Sequence, residues 1–195
     1  MVDSVLQPLN IFLLGLGGGF LIPLLHKIAK PLPAAAFALA LVSMTAISAA
    51  CFWSLYKGAP TIEVLTAGVL PPLSINLRFG LAEGFFSVCV NVAALLGAWH
   101  MWDRLRISYP ALLLYLILIM GINGMVMTRD LFNLFVFLEI VSIGTYGLLG
   151  LQRTPQALAA SFKYIMATVI ASSFFLLGAA LLYHVTGTLN IDDMI

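Results

Sequence analysis

Along the chain, long unbroken apolar runs alternate with short stretches of charge, proline and turn residues. The breaks fall at Lys27 to Pro33, Lys57 to Phe79, Asp103 to Ser108, Arg129 with Asp130, and Gln152 to Pro155. The runs between them predict six helices, at roughly 4–27, 33–56, 80–102, 108–128, 131–151 and 156–185. Each is near the length of about 20 residues that crosses a bilayer at 1.5 Å per residue. A membrane β-barrel is excluded, because the runs are continuous rather than alternating with period two. The expected fold is an all-α membrane protein of six transmembrane helices.

Only one connection is long. Segment 57–79 carries Pro60, Gly68, Pro71 and Pro72, and from Leu73 to Arg78 apolar and polar residues alternate. That pattern predicts a short hairpin or flap at the membrane surface, between the second and third helices.

Composition agrees with the pattern and removes the soluble alternatives. Of 195 residues, 62% are hydrophobic and only 9% charged, and mean hydropathy is +1.09. A soluble domain carries about 25% charged residues, so soluble folds, disordered tails and nucleic-acid binders are excluded. The formal net charge of +1 implies no electrostatic partner. Cys51 and Cys89 both lie in apolar runs without CxxC spacing, and read as small hydrophobes. No thiolate cluster, haem pair or nucleotide loop is present, so no cofactor is expected. Asp3 and the run continuing to Lys27 argue against a cleaved leader. Gly15 to Gly19 mimics a nucleotide fingerprint, but without a preceding strand it reads as small-xxx-small helix packing.

Alternating the connections puts Lys27, Lys30, Arg104, Arg106 and Arg153 on one side, and Lys57, Arg78 and Arg129 on the other. The positive-inside rule makes the first side cytoplasmic, with both termini outside. Trp102 and Tyr109 flank that side as interfacial aromatics do.

The candidate chemistry lies in the charges placed where lipid should be. An ionisable side chain at mid-helix costs roughly 2.5–3.5 kcal/mol on insertion scales, and is functional by default. Glu139 lies nine positions after Asp130, about 13 Å below one surface, and Lys163 lies eight after Pro155, about 12 Å from the other. In a hydrocarbon core of about 30 Å these depths nearly coincide. Consecutive antiparallel helices would then let the two face each other at mid-membrane. Ser142 and Tyr146 follow Glu139 at i+3 and i+7 on one face. A carboxyl in a dry setting keeps its proton until a cation approaches, which suits a proton relay; the rival is a structural ion pair. Asn91 and Asn123, inside the third and fourth helices, suit interhelical hydrogen bonds or the lining of a pathway. Glu83, His26, His100 and His184 sit near helix ends and read as interfacial.

The run GINGMVMTRDLFNLFVFLE from Gly121 to Glu139, then Ser142 and Tyr146, resembles the signature of the proton-conducting antiporter-like membrane subunits. These occur in respiratory complex I, Mrp-type Na+/H+ antiporters and membrane-bound hydrogenases. Ala160 to Tyr164 and Tyr183 to Asn190 resemble the family's next helix, and the Asp130-to-Phe135 stretch is nearest in flavour to the D-type Mrp component. The resemblance implies that Glu139 occupies the position of an essential glutamate and Lys163 that of a recurring lysine. It divides the chain into 1–107, three helices with the 57–79 flap, and 108–195, the first three helices of an antiporter-like repeat. It implies a subunit contributing part of a proton or Na+/H+ path through Glu139 and Lys163, to which position on the helices adds Ser142, Tyr146 and Asn123 as candidates. The complex this implies is a secondary antiporter or a redox-driven pump in a cell membrane, in which other membrane subunits are expected to supply the later helices. The rival class is a non-conducting scaffold subunit; a free-standing channel is weaker, because one central ion pair gives no continuous path.

Overall fold

The apolar runs fold as helices because a segment in lipid must satisfy its own backbone hydrogen bonds. A computed structural model describes residues 7–65, 75–152 and 154–194. Its elements are α1 (Leu9–Ile28), α2 (Leu32–Tyr56), β1 (Ile62–Leu65), β2 (Asn76–Phe79), α3 (Leu81–His100), α4 (Trp102–Leu105), α5 (Tyr109–Met127), α6 (Leu131–Gly150) and α7 (Pro155–Thr186). Among the described residues, six helices are long and apolar enough to cross a membrane. The chain is a multi-pass membrane protein.

The differences from the expected boundaries have local causes. The first helix begins at Leu9, behind Pro8, rather than at residue 4; residues 4–6 lie outside the described residues. Asp103 to Leu105, expected as loop, belong to a helical turn that starts at Trp102. Thr154 caps α7, its hydroxyl accepting from the Ala157 N–H at 3.1 Å, with Pro155 in the first helical position. The same helix stops at Gly187, whose φ of 73° is left-handed backbone that glycine adopts without strain.

α5 is the hub, packing against α1, α2, α3 and α6, whereas among the described elements α7 packs on α6 alone. Helices in lipid gain little from hydrophobicity and associate where small residues allow close approach. Gly15 of α1 is such a point: a Cβ there would strike the Met120 side chain of α5. Gly124 of α5 is another, with the Phe137 ring of α6 filling the space a side chain would need. Ile11, Ile22, Phe37, Met44, Leu112, Leu116 and Met120 form the interior around α5.

β1 and β2 pair antiparallel, Ile62 opposite Phe79 and Leu65 opposite Asn76, so segment 57–79 is a hairpin. Its predicted tip, with Gly68, Pro71 and Pro72, lies outside the described residues. The hairpin is more than a surface flap, because Asn76, Leu77 and Phe79 are buried. Leu77 bridges to Thr128, the Arg129 N–H donates to the Asn76 carbonyl at 2.9 Å, and the Leu131 N–H donates to the Leu189 carbonyl at 3.0 Å. Three segments thus meet at this hairpin end: β2, the α5–α6 link, and the chain after α7. The opposite, basic end carries Lys27, Lys30, Arg104 and Arg106; Arg153 lies outside the described residues.

Candidate ion-pathway site

α6 starts where Asp130 caps it, its carboxylate accepting from the Asn133 N–H at 2.8 Å. Glu139 falls near the middle of this 20-residue helix. Gly121 and Gly124 of α5 receive Val141, Ile140 and Phe137, which fixes the face of α6 that meets α5. Glu139, two residues past Phe137, is turned about 200° from that ring. It therefore lies away from α5, with Ser142 and Tyr146 on its own side, all three half-buried. Among the described residues, no hydrogen bond or ion pair engages the Glu139 carboxylate.

α7 meets α6 through a face containing Ser161 and Ala179, its two buried residues, which five helical turns bring into line. The Ser161 hydroxyl donates to the Tyr146 carbonyl at 2.9 Å. Lys163, two residues on, is rotated about 200° from Ser161. It is exposed on the side of α7 turned away from α6, and it makes no ion pair among the described residues. The structure places both charges within their helices but does not bring Glu139 and Lys163 together. Rise per residue sets their positions along α6 and α7, and rotation about the α7 axis separates them.

Asn123 belongs to a different cluster. Its Oδ1 accepts from the Ser87 hydroxyl at 2.7 Å and from Asn91 Nδ2 at 3.1 Å, and its Nδ2 donates to Asn91 Oδ1 at 3.2 Å and to the Ile119 carbonyl at 2.9 Å. Ser87, Asn91 and Asn123 are all within 1% of full burial. This polar seam joins α3 to α5, the interhelical alternative open to Asn91 and Asn123.

Sequence reasoning missed the charge cluster at the hairpin end. Glu83 is buried, not interfacial: its Oε2 accepts from the Gly80 N–H at 3.0 Å, and its Oε1 pairs with the Arg129 guanidinium. Arg78 Nε lies 3.8 Å from Glu83 Oε1, Arg78 Nη1 lies 3.8 Å from Asp192 Oδ1, and Arg129 Nε lies 4.0 Å from Asp192 Oδ2. The signal was available, since Glu83, Arg78 and Arg129 all fall at one end once the helices alternate.

Residues 128–195, which hold Glu139, Ser142, Tyr146 and Lys163, match the family described as NADH:quinone oxidoreductase/Mrp antiporter, TM. The chain is related to the antiporter-like membrane subunits. It is 41% identical over 105 residues to the D-type component of the Na(+)/H(+) antiporter of Alkalihalophilus pseudofirmus, a match covering 54% of this chain and 21% of that protein. It is 34% identical over 164 residues to the N-type component of the NADH-quinone oxidoreductase of Desulforudis audaxviator, covering 82% of this chain and 32% of that one. A chain in the structure of the membrane-bound sulfane sulfur reductase, an archaeal respiratory membrane complex, superposes with a TM-score of 0.87 at 35% identity. That superposition covers 94% of this chain and 38% of its counterpart. This antiporter-like chain thus spans between a fifth and two fifths of the length of these relatives. The likeness of fold extends to the first three helices.

Proposed function

We propose that the chain is a membrane subunit of a multisubunit ion-translocating complex, and that Glu139 is the group through which it contributes to a proton or Na+/H+ path. One observation carries this reading: a half-buried carboxyl stands in the middle of a membrane-spanning helix, on a face beside Ser142 and Tyr146, with no cation of the described residues against it. An ionisable group there is costly against lipid, so its open side meets water or further protein. A carboxyl in such a place takes up or releases its proton according to the charge brought next to it. Glu139 is the proton-exchanging site, and Ser142 and Tyr146 offer polar atoms for ordered water. Lys163 acts from the outward side of α7, toward helices that other parts of the assembly provide.

Kinship to proteins named for Na(+)/H(+) antiport and for NADH–quinone oxidoreduction supports two versions of this function. In one the path belongs to a secondary antiporter; in the other, to a pump driven by a separate redox arm. The subunits neighbouring the chain in the purified complex decide between them. The excess of Lys27, Lys30, Arg104 and Arg106 at one end supports an orientation with that end in the cytoplasm and both termini outside a cell membrane.

The deciding experiment is Glu139→Gln in the assembled complex, read as ion flux in inverted vesicles. Glutamine keeps the shape and hydrogen bonding of the side chain but exchanges no proton. Flux should fall at least tenfold while the complex still assembles. Full flux would instead favour a scaffold role, in which the chain holds conducting neighbours in place.

A further inference from the structure

At the basic end, two concavities border successive turns along one side of α2. One, of about 290 Å³, is bordered by His26 at the end of α1, Lys30 in the α1–α2 turn, Arg106 after α4, and Tyr109 at the start of α5. Pro33 and Ala34 of α2 form its wall. One turn further along α2, Phe37, Ala38 and Leu41 line a second cleft of about 390 Å³, closed on the α3 side by Trp99 and Trp102. The first concavity is basic and polar. The second is almost wholly apolar.

The charges of the first are only weakly matched within the chain. Of the described acidic residues only Asp103 lies at this end. It pairs with Arg106 at 2.9 Å, but both side chains are largely in solvent, where such a pair is weak and readily exchanged. Lys30 makes no ion pair among the described residues, and the His26 ring stacks on Tyr109 with centroids 4.6 Å apart, which holds it at the rim. The hairpin end differs, because there Arg78 and Arg129 are matched by Glu83 and Asp192. The level in the bilayer also fits. Trp99, Ile107, Ile28 and Tyr109 are exposed around this end, as residues at a headgroup boundary are.

We propose that these two concavities together hold one anionic phospholipid. Its phosphate lies among Lys30, Arg106 and His26, and an acyl chain occupies the cleft between Phe37 and Trp99. The cationic rim selects the headgroup charge, as basic pockets between membrane helices do. The apolar cleft, one helical turn deeper, takes the chain that a free phosphate lacks. Bound there, the lipid would tie α1, α2 and the α4–α5 connection together at the end of the bundle that has no hairpin to join them.

The test uses the full chain purified in a neutral detergent, with native mass spectrometry to count retained lipids. Phosphatidylglycerol should be retained at one per chain, at least tenfold more than phosphatidylcholine of the same chain length. The double variant Lys30→Gln/Arg106→Gln should lose that selectivity, whereas Lys30→Arg/Arg106→Lys should keep it and so control for folding. Lys57→Gln, at the opposite end, should leave it unchanged. Equal retention of the two lipids overturns the proposal, as does selectivity that survives the double glutamine variant. Displacement of phosphatidylglycerol by excess inorganic phosphate also overturns it, since the site would then be a simple anion site without the acyl cleft.

Discussion

The Arg129 guanidinium closes on the buried carboxylate of Glu83, 46 residues earlier in the chain. Arg129 immediately precedes Asp130, the cap of α6, and Glu83 sits in the first turn of α3. The pair therefore ties the start of the helix that carries Glu139 to the start of α3. Glu83 uses both oxygens, one on Arg129 and one on the Gly80 N–H, and the adjacent α3 N-terminus favours its negative charge. Arg78 and Asp192 add the hairpin and the segment after α7 to the same knot.

From this follows an expectation about stability. Removing one partner of a buried pair leaves the other charge uncompensated, at a cost of about 3 kcal/mol or more. The Arg129 side chain is 23% exposed, which puts the loss at the lower end of that range. Glu83→Gln should therefore destabilise the chain by about 3 kcal/mol in detergent unfolding. Asp192→Asn, whose side chain is 40% exposed, should cost less than about 1 kcal/mol. Equal losses in the two variants would show that the knot is not centred on Glu83.

The seam between α3 and α5 gives a second expectation, with a sign that distinguishes packing from conduction. Asn123→Leu strands Ser87 and Asn91 in the interior, and an unmet buried polar group costs about 1–3 kcal/mol. Replacing both asparagines removes the stranded Asn91 amide along with its bonds, and leaves one unmet group, the Ser87 hydroxyl, in place of two. Asn91→Leu/Asn123→Leu should therefore be more stable than Asn123→Leu alone, measured by thermal unfolding in detergent. Ion flux by the complex should survive the double change if the seam only joins helices. Lost flux with intact assembly would return Asn123 to the pathway.

Close approach of α5 and α6 gives a third. Gly124→Ala puts a methyl where the Phe137 ring lies, and overpacking of this kind costs about 1–3 kcal/mol. Adding Phe137→Leu should recover part of the loss. Gly178→Ala, at a position where a Cβ meets nothing within 4 Å, should be neutral. If Gly124→Ala were equally neutral in the same assay, the contact would be softer than its geometry indicates.

The six helices were legible because each is a continuous apolar run ended by charge or proline, and the hairpin because its second strand alternates. Position along each helix was legible too, since rise per residue is fixed. Rotation was not. α7 is apolar nearly all round, so no 3.6-residue stripe marks the side that packs, and the face of α7 that carries Lys163 was left open. Glu83 was misread for a related reason. Whether a charge near a helix end is interfacial or buried depends on what folds over it, and β2 and Arg129 come from distant parts of the chain.

That geometry also sets the expectation for Lys163. The residue is exposed, faces away from α6 and makes no ion pair among the described residues, so nothing described within the chain depends on its charge. Lys163→Ala should leave the stability of the isolated chain unchanged to within about 0.5 kcal/mol, as for surface positions without a partner. A bare ammonium on the middle of a membrane helix is nonetheless costly in lipid, and only 6% of the most apolar window of α7 is buried within the chain. The proposed assembly must therefore cover this side of α7, and Lys163 must find its counter-charge there. In the complex, Lys163→Glu should block assembly or flux, and Lys163→Ala should lower flux less completely than Glu139→Gln. Reconstituted alone into vesicles, the chain should show no specific proton or sodium flux, because Glu139 and Lys163 lie on faces that its own helices do not join. A robust Glu139-dependent flux from the isolated chain would show that six helices make a complete path, and would remove the need for an outside partner at Lys163.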